Sequence, residues 1–281
     1  MTGLAMAPAD PAGRDLTTRR RTARAGRPAA GDTALRLLLP ALVLGAWWML
    51  TGLGVIAPTV LSSPLVTWNT FYDLLQHHHL LVDIAASLER AAVGLAIGGG
   101  FGLLFGLVTG LSSIGERLFD LGLQMLRMVP FPALLFLFIV WFGIGESAKY
   151  ALIALATLFP MYLNVSNGVR NVDRRVVEAA RSFGVRGWAL VRHVVVPLAM
   201  PSVLTGLRYS AGVSIIALVF AETINANTGI GYLVSQAESF NQTSTLVVCI
   251  LIYALLGLAV DLAVRILEWR LMPWRRHVAV R

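Results

Sequence analysis

Six apolar stretches, each near the ~20 residues a helix needs to cross ~30 Å of hydrocarbon, leave this chain few ways to fold. They cover about 35–53, 91–111, 121–142, 148–169, 201–220 and 245–266. Of 281 residues, 57% are hydrophobic and 14% charged, which suits a membrane protein better than a soluble domain of this length. The expectation is an all-α, polytopic membrane protein with six transmembrane helices. Residues 1–34 are rich in Ala, Pro, Gly and Arg and cannot bury a core, so they read as a disordered basic tail. The run that follows is longer than the ~7–15-residue apolar region of a signal peptide and lacks a convincing cleavage site, so it reads as the first span. The membrane domain then occupies 35–274, and 275–281 form a second short tail.

Charge sets the orientation. The net charge of +8 comes with a segregated distribution, which argues against a nucleic-acid partner. The N-terminal tail up to Arg36 holds seven Arg, Arg117 lies in the second connection, six Arg lie in the fourth and five at the C-terminal end. The alternate connections hold only Lys149. The positive-inside rule therefore puts both termini and the fourth connection in the cytoplasm of a multi-pass protein of the cytoplasmic membrane.

That fourth connection, 173–201, is the most structured of the polar segments. It carries Arg174, Arg175, Arg181, Arg186 and Arg192, with Arg170 at its edge. Asn171 or Asp173 can cap a helix whose apolar stripe is Val176, Val177, Ala180 and Phe183. Gly184 suits a left-handed stop, and a second helical piece from Gly187 to His193 is expected to break at Pro197. A basic amphipathic loop can rest on lipid headgroups, but lipid alone does not require Gly and Pro at set positions. In the second span, Gly94, Gly98, Gly102, Gly106 and Gly110 recur every fourth residue, a flat stripe for close helix approach. Packing within the chain is the plainer use of it and a subunit interface the other. Pro130, Pro132 and Pro160 fall mid-membrane, where freed carbonyls must face protein or a cavity.

Catalytic chemistry finds no footing. One Lys, followed by Tyr150, excludes a GxxxxGK[ST] phosphate loop, and no HExxH or GxSxG motif occurs. Cys249 is the only cysteine, so no disulfide forms within the chain. His77–His79 near Asp73 and Asp83 read as a solvated tract rather than a metal site. Arg127 and Arg208, about two turns into the third and fifth spans, either snorkel to the interface or line an anion route. Glu222, with Thr223, Asn225 and Asn227, closes the fifth span before Gly229-Ile230-Gly231-Tyr232 and forms either a pathway mouth or a solvated turn.

Glu178-Ala179-Ala180, Gly184 six residues after Glu178, and Val194-x-Val196-Pro197 resemble the EAA loop of ABC importer permeases. Ser62-Ser63-Pro64, Ser87-Leu88-x-Arg90, Trp141-Phe142-Gly143-Ile144-Gly145-Glu146 and the segment Ala221–Leu233 resemble the nitrate/sulfonate/taurine branch, most closely its aliphatic sulfonate permeases. The resemblance implies a type I ABC importer permease fold with a core at about 83–267. It also implies a second permease subunit, expected to be an identical copy, two ABC ATPase subunits and an extracytoplasmic solute-binding protein. Glu178, Ala179, Ala180, Gly184 and Pro197 would couple to the ATPases. ATP and Mg would be held by that partner, with no cofactor on this chain. The expected function is import of a small anionic solute, foremost aliphatic sulfonates, with taurine or nitrate as alternatives. An ion-driven secondary transporter is the remote rival, but the inverted repeats and intramembrane acid relay it needs are not visible.

Overall fold

A computed structural model describes residues 30–272. Its helices, in order, are α1 (Ala30–Gly52), α2 (Pro64–His77), α3 (Leu80–Leu111), α4 (Ser113–Leu126), α5 (Phe131–Phe142) and α6 (Glu146–Arg170). They are followed by α7 (Arg174–Ser182), α8 (Gly187–Leu190), a π-helical turn (Val191–Val195), α9 (Val196–Asn225), α10 (Ile230–Ser239) and α11 (Thr243–Leu271). The basic tails expected at 1–34 and 275–281 lie outside the described residues, except for 30–34, which open α1. The chain divides into two units at Met49/Leu50, so most of α1 stands in the first and the remaining helices in the second.

α6 is the axis of the second unit. It runs between α3 and α9, and it is the most buried of the long apolar helices. The glycine stripe accounts for the first contact. A β-carbon at Gly94 would meet Ile153, at Gly98 Ala154 and Thr157, at Gly106 Val165 and at Gly110 Val169. The stripe thus packs within the chain. On the other side of α6, Gly168 abuts Ser202 and Gly206 abuts Asn164. Small residues let the backbones close to dispersion contact, which is what holds helices together where lipid removes the hydrophobic driving force. Ala91, Ile153, Ala156, Ile215 and Leu218 fill the middle of this three-helix core. Leu74, Leu80, Ile230, Leu233, Val248 and Cys249 join α2, α3, α10 and α11 at the end away from α7. That end is the far end of the bundle, and the end that carries α7 is the loop end.

Four described helices are long and apolar enough to cross a membrane: Leu80–Leu111, Glu146–Arg170, Gly187–Ile224 and Thr243–Leu271. The expected third span is not one helix. α4 and α5 are separated at 127–130, where Val129 precedes Pro130 and is steered out of helical backbone. α5, with 12 residues, reaches only about 18 Å. The fifth span departs from expectation in the opposite direction. Pro197 does not break it; the helix runs on through Pro197 and Pro201. A proline ring clashes with the carbonyl four residues before it, and the wider π turn at Val191–Val195 immediately precedes the helix that carries Pro197. Pro160 likewise sits inside an unbroken α6.

Candidate functional site

The 173–201 loop is built from local hydrogen bonds. Asp173 is the cap, its Oδ1 accepting from the Arg175 N–H at 2.9 Å. At the other end the Val185 N–H donates to the Ala180 carbonyl and the Gly184 N–H to that of Arg181. With Gly184 at φ 83°, this is the paired closure of a Schellman stop. Gly187 is also left-handed, at φ 58°, and turns the chain into α8. No residue of α7 is buried. Glu178 and Ala179 are exposed, Ala180 and Pro197 half-buried, and Phe183 and Trp188 are 86% and 74% exposed. The loop therefore presents two bare aromatic rings among five arginines.

A second cluster lies at the far end. Glu222 is 0% exposed. Its carboxylate accepts from Arg90 Nη1 at 2.7 Å and from the Gly231 N–H at 2.9 Å, and the Ser87 hydroxyl lies 2.8 Å from both oxygens. Arg90 uses its whole donor fork: Nε and Nη2 to Glu146 at 2.6 and 2.9 Å, Nη1 also to the Thr228 carbonyl, and Nη2 to the Thr228 hydroxyl. Lys149, buried on the first turn of α6 rather than in a loop, donates to Glu146 at 2.8 Å. Asp83 accepts from the Gly229 N–H, and the Ser87 hydroxyl from that of Ile230. A β-carbon at Gly229 would strike Glu222 and Arg90, and its φ of 114° also demands glycine. Two cations and three carboxylates thus bind α3, α6 and α9 and the turn before α10. Only Glu146 faces out, onto a hollow of about 420 Å³ that Lys149, Asn227 and Thr228 also line.

The remaining expected residues fall elsewhere. Glu222 is not on a solvated turn but inside this cluster. Arg208 ion-pairs with Asp261 and Glu268 of α11, and Arg265 meets the same Asp261. Arg127 ends α4 with its side chain exposed. His77 Nδ1 lies 3.0 Å from Asp73, and no three described His, Cys, Asp or Glu residues gather as metal ligands. The sequence alone does not bring Asp83, Ser87, Arg90, Glu146 and Lys149 into one cluster with Glu222. One signal was available, because helix order puts Arg90, Glu146 and Glu222 at the same end of their spans, where charges need partners.

The profile of the family described as binding-protein-dependent transport system inner membrane component matches residues 98–273. The chain is 45% identical over 236 residues to the aliphatic sulfonates transport permease protein SsuC of Escherichia coli (strain K12), covering 84% of this chain and 90% of that one. It is 40% identical to the SsuC of Bacillus subtilis (strain 168), covering 85% and 87%. It is 34% identical to the taurine transport system permease protein TauC of Escherichia coli (strain K12), covering 89% and 93%. In fold it resembles an amino acid ABC transporter chain, with a TM-score of 0.61 at 20% identity over 71% of this chain and 98% of that one. It also resembles an inward-facing chain of the MetNI methionine ABC transporter, at 0.53 and 19% over 68% and 98%. This chain belongs to the inner-membrane permeases of binding-protein-dependent ABC importers.

Proposed function

We propose that the chain is the permease of an importer for aliphatic sulfonates. The similarity to the two SsuC proteins over most of both chains supports this most strongly. In this reading the loop end faces the cytoplasm, and α1 and the broken α4–α5 pair complete six crossings. A second copy, two ATPases that bind ATP and Mg, and an external solute-binding protein complete the machine. The TauC relative favours taurine as the second reading. Cells lacking their own sulfonate permease, supplied with this chain and its partner subunits, are expected to grow on an alkanesulfonate as sole sulfur source and not without the chain. Growth restored on taurine alone would reject the sulfonate assignment in favour of taurine.

Phe183 and Trp188, with the surrounding arginines, suit docking into an apolar groove with an acidic rim on the ATPase. Glu178, Ala179, Ala180, Gly184 and Pro197 carry the coupling role in this reading, with Gly184 and Gly187 setting the turn between α7 and α8 and the π turn carrying the helix on through Pro197. Gly184→Val introduces a β-branched residue where φ is 83° and costs about 1–2 kcal/mol locally. Nothing else lies within 4 Å of a β-carbon there, so the fold has no other reason to suffer. The variant is expected to insert normally and to lose solute uptake per ATP hydrolysed. Unchanged uptake at unchanged ATPase activity would count against docking and leave a loop that only rests on lipid.

A further inference from the structure

We infer that Arg170 is the positioning residue through which the 173–201 loop moves α4, and so the break at 127–130. The inference rests on the coupling role proposed for that loop. Arg170 is the last residue of α6, three residues before the cap of α7. Its Nη1 donates to Glu116 in the first turn of α4 at 2.6 Å, and its Nη2 to the Thr109 carbonyl in the last turn of α3 at 3.2 Å. A cation at the α3 C-terminus satisfies a carbonyl that has no intrahelical donor. One guanidinium therefore fastens the root of the loop to two other helices.

α4 is placed to respond. Its inward face is held by polar clips: Glu116 on Arg170, and Asp120 accepting from the buried Tyr162 hydroxyl at 2.5 Å. Gly115 lets its first turn lie against the Val108 backbone. Its other face, Ile114, Leu118, Leu121 and Met125, is bare. Its C-terminal end tightens, with Met128 and Val129 bonding three residues back, and then stops at Pro130. A helix clipped at one end and broken at the other transmits displacement as a unit. The Arg170–Glu116 pair is too exposed to matter much for stability, since such pairs contribute about 0–1 kcal/mol. Its use is geometric.

The test reconstitutes the full complex in proteoliposomes and reads solute taken up per ATP hydrolysed. Arg170→Glu and Glu116→Arg are each expected to lower that ratio about three- to tenfold at unchanged complex yield. The double charge reversal is expected to recover more than about half of it. Arg170→Gln and Glu116→Gln, which remove charge without reversing it, should give a smaller loss of the same kind. An unchanged ratio in the single variants, or a loss that the double reversal does not mend, overturns the inference. Gly184→Val runs in parallel. If it keeps the parental ratio, the coupling role of the loop fails; if it lowers the ratio while the Arg170 variants do not, the loop stands and only the relay falls.

Discussion

Gly98→Leu is expected to prevent assembly of the bundle, whereas Gly100→Leu, two residues away, accumulates and purifies like the parent. Gly98 is buried where α3 crosses α6, and the first atoms a β-carbon would meet are the Ala154 carbonyl and the Thr157 hydroxyl. Neither can yield. The carbonyl is helix backbone, and the hydroxyl already donates within α6 and reaches toward the Gly94 carbonyl. The helices must therefore separate, which strips contact from Gly94, Gly102 and Gly106 as well. Overpacking usually costs about 1–3 kcal/mol per inserted group, and here one stripe shares the loss along several turns. Gly100 points into open space. The two variants have the same change in hydrophobicity and helix propensity, so only packing separates them. Equal thermal stability of the two in detergent would show that the stripe does not set the helix separation.

That stripe was legible because its information is local: a period of four on one helix. The same holds for Gly184 and the Asp173 cap, where turn chemistry lies within a dozen residues. The failures were of two kinds. Pro197 looked like a break, and Pro130 and Pro132 like tolerated breaks within one span. Proline alone does not say whether a widened turn will absorb it, as at Val191–Val195, or whether the helix will end, as at Val129. The charged residues failed differently. Arg90 and Glu222 are 132 positions apart, and Arg208 and Glu268 are 60 apart. A lone charge in an apolar run announces that it needs a partner but not which one. Helix direction supplies the missing step, since it sorts charges by depth before any contact is known.

The far-end cluster makes the sharper prediction. Arg90→Ala is expected to destabilise the protein by about 3–5 kcal/mol, the range for a buried pair that loses one member. The loss falls on one carboxylate. Glu146 keeps Lys149 and is 46% exposed at its side chain, so water can take over. Glu222 has no exposure and is left with the Ser87 hydroxyl, the Gly231 N–H, the Tyr253 hydroxyl at 3.5 Å and no counter-charge. Adding Glu222→Gln to Arg90→Ala should then raise stability. The amide oxygen still accepts from Gly231 and the charge is gone. Glu222→Gln alone should be destabilising, because it leaves Arg90 and Lys149 to share Glu146. Two changes that each harm the parent are thus expected to be less harmful together than Arg90→Ala alone. Heat-induced loss of the monodisperse complex, measured for the parent, both single variants and the double, gives the coupling directly. Additive losses would mean that Arg90 acts through its bonds to Thr228 and Glu146 rather than through Glu222.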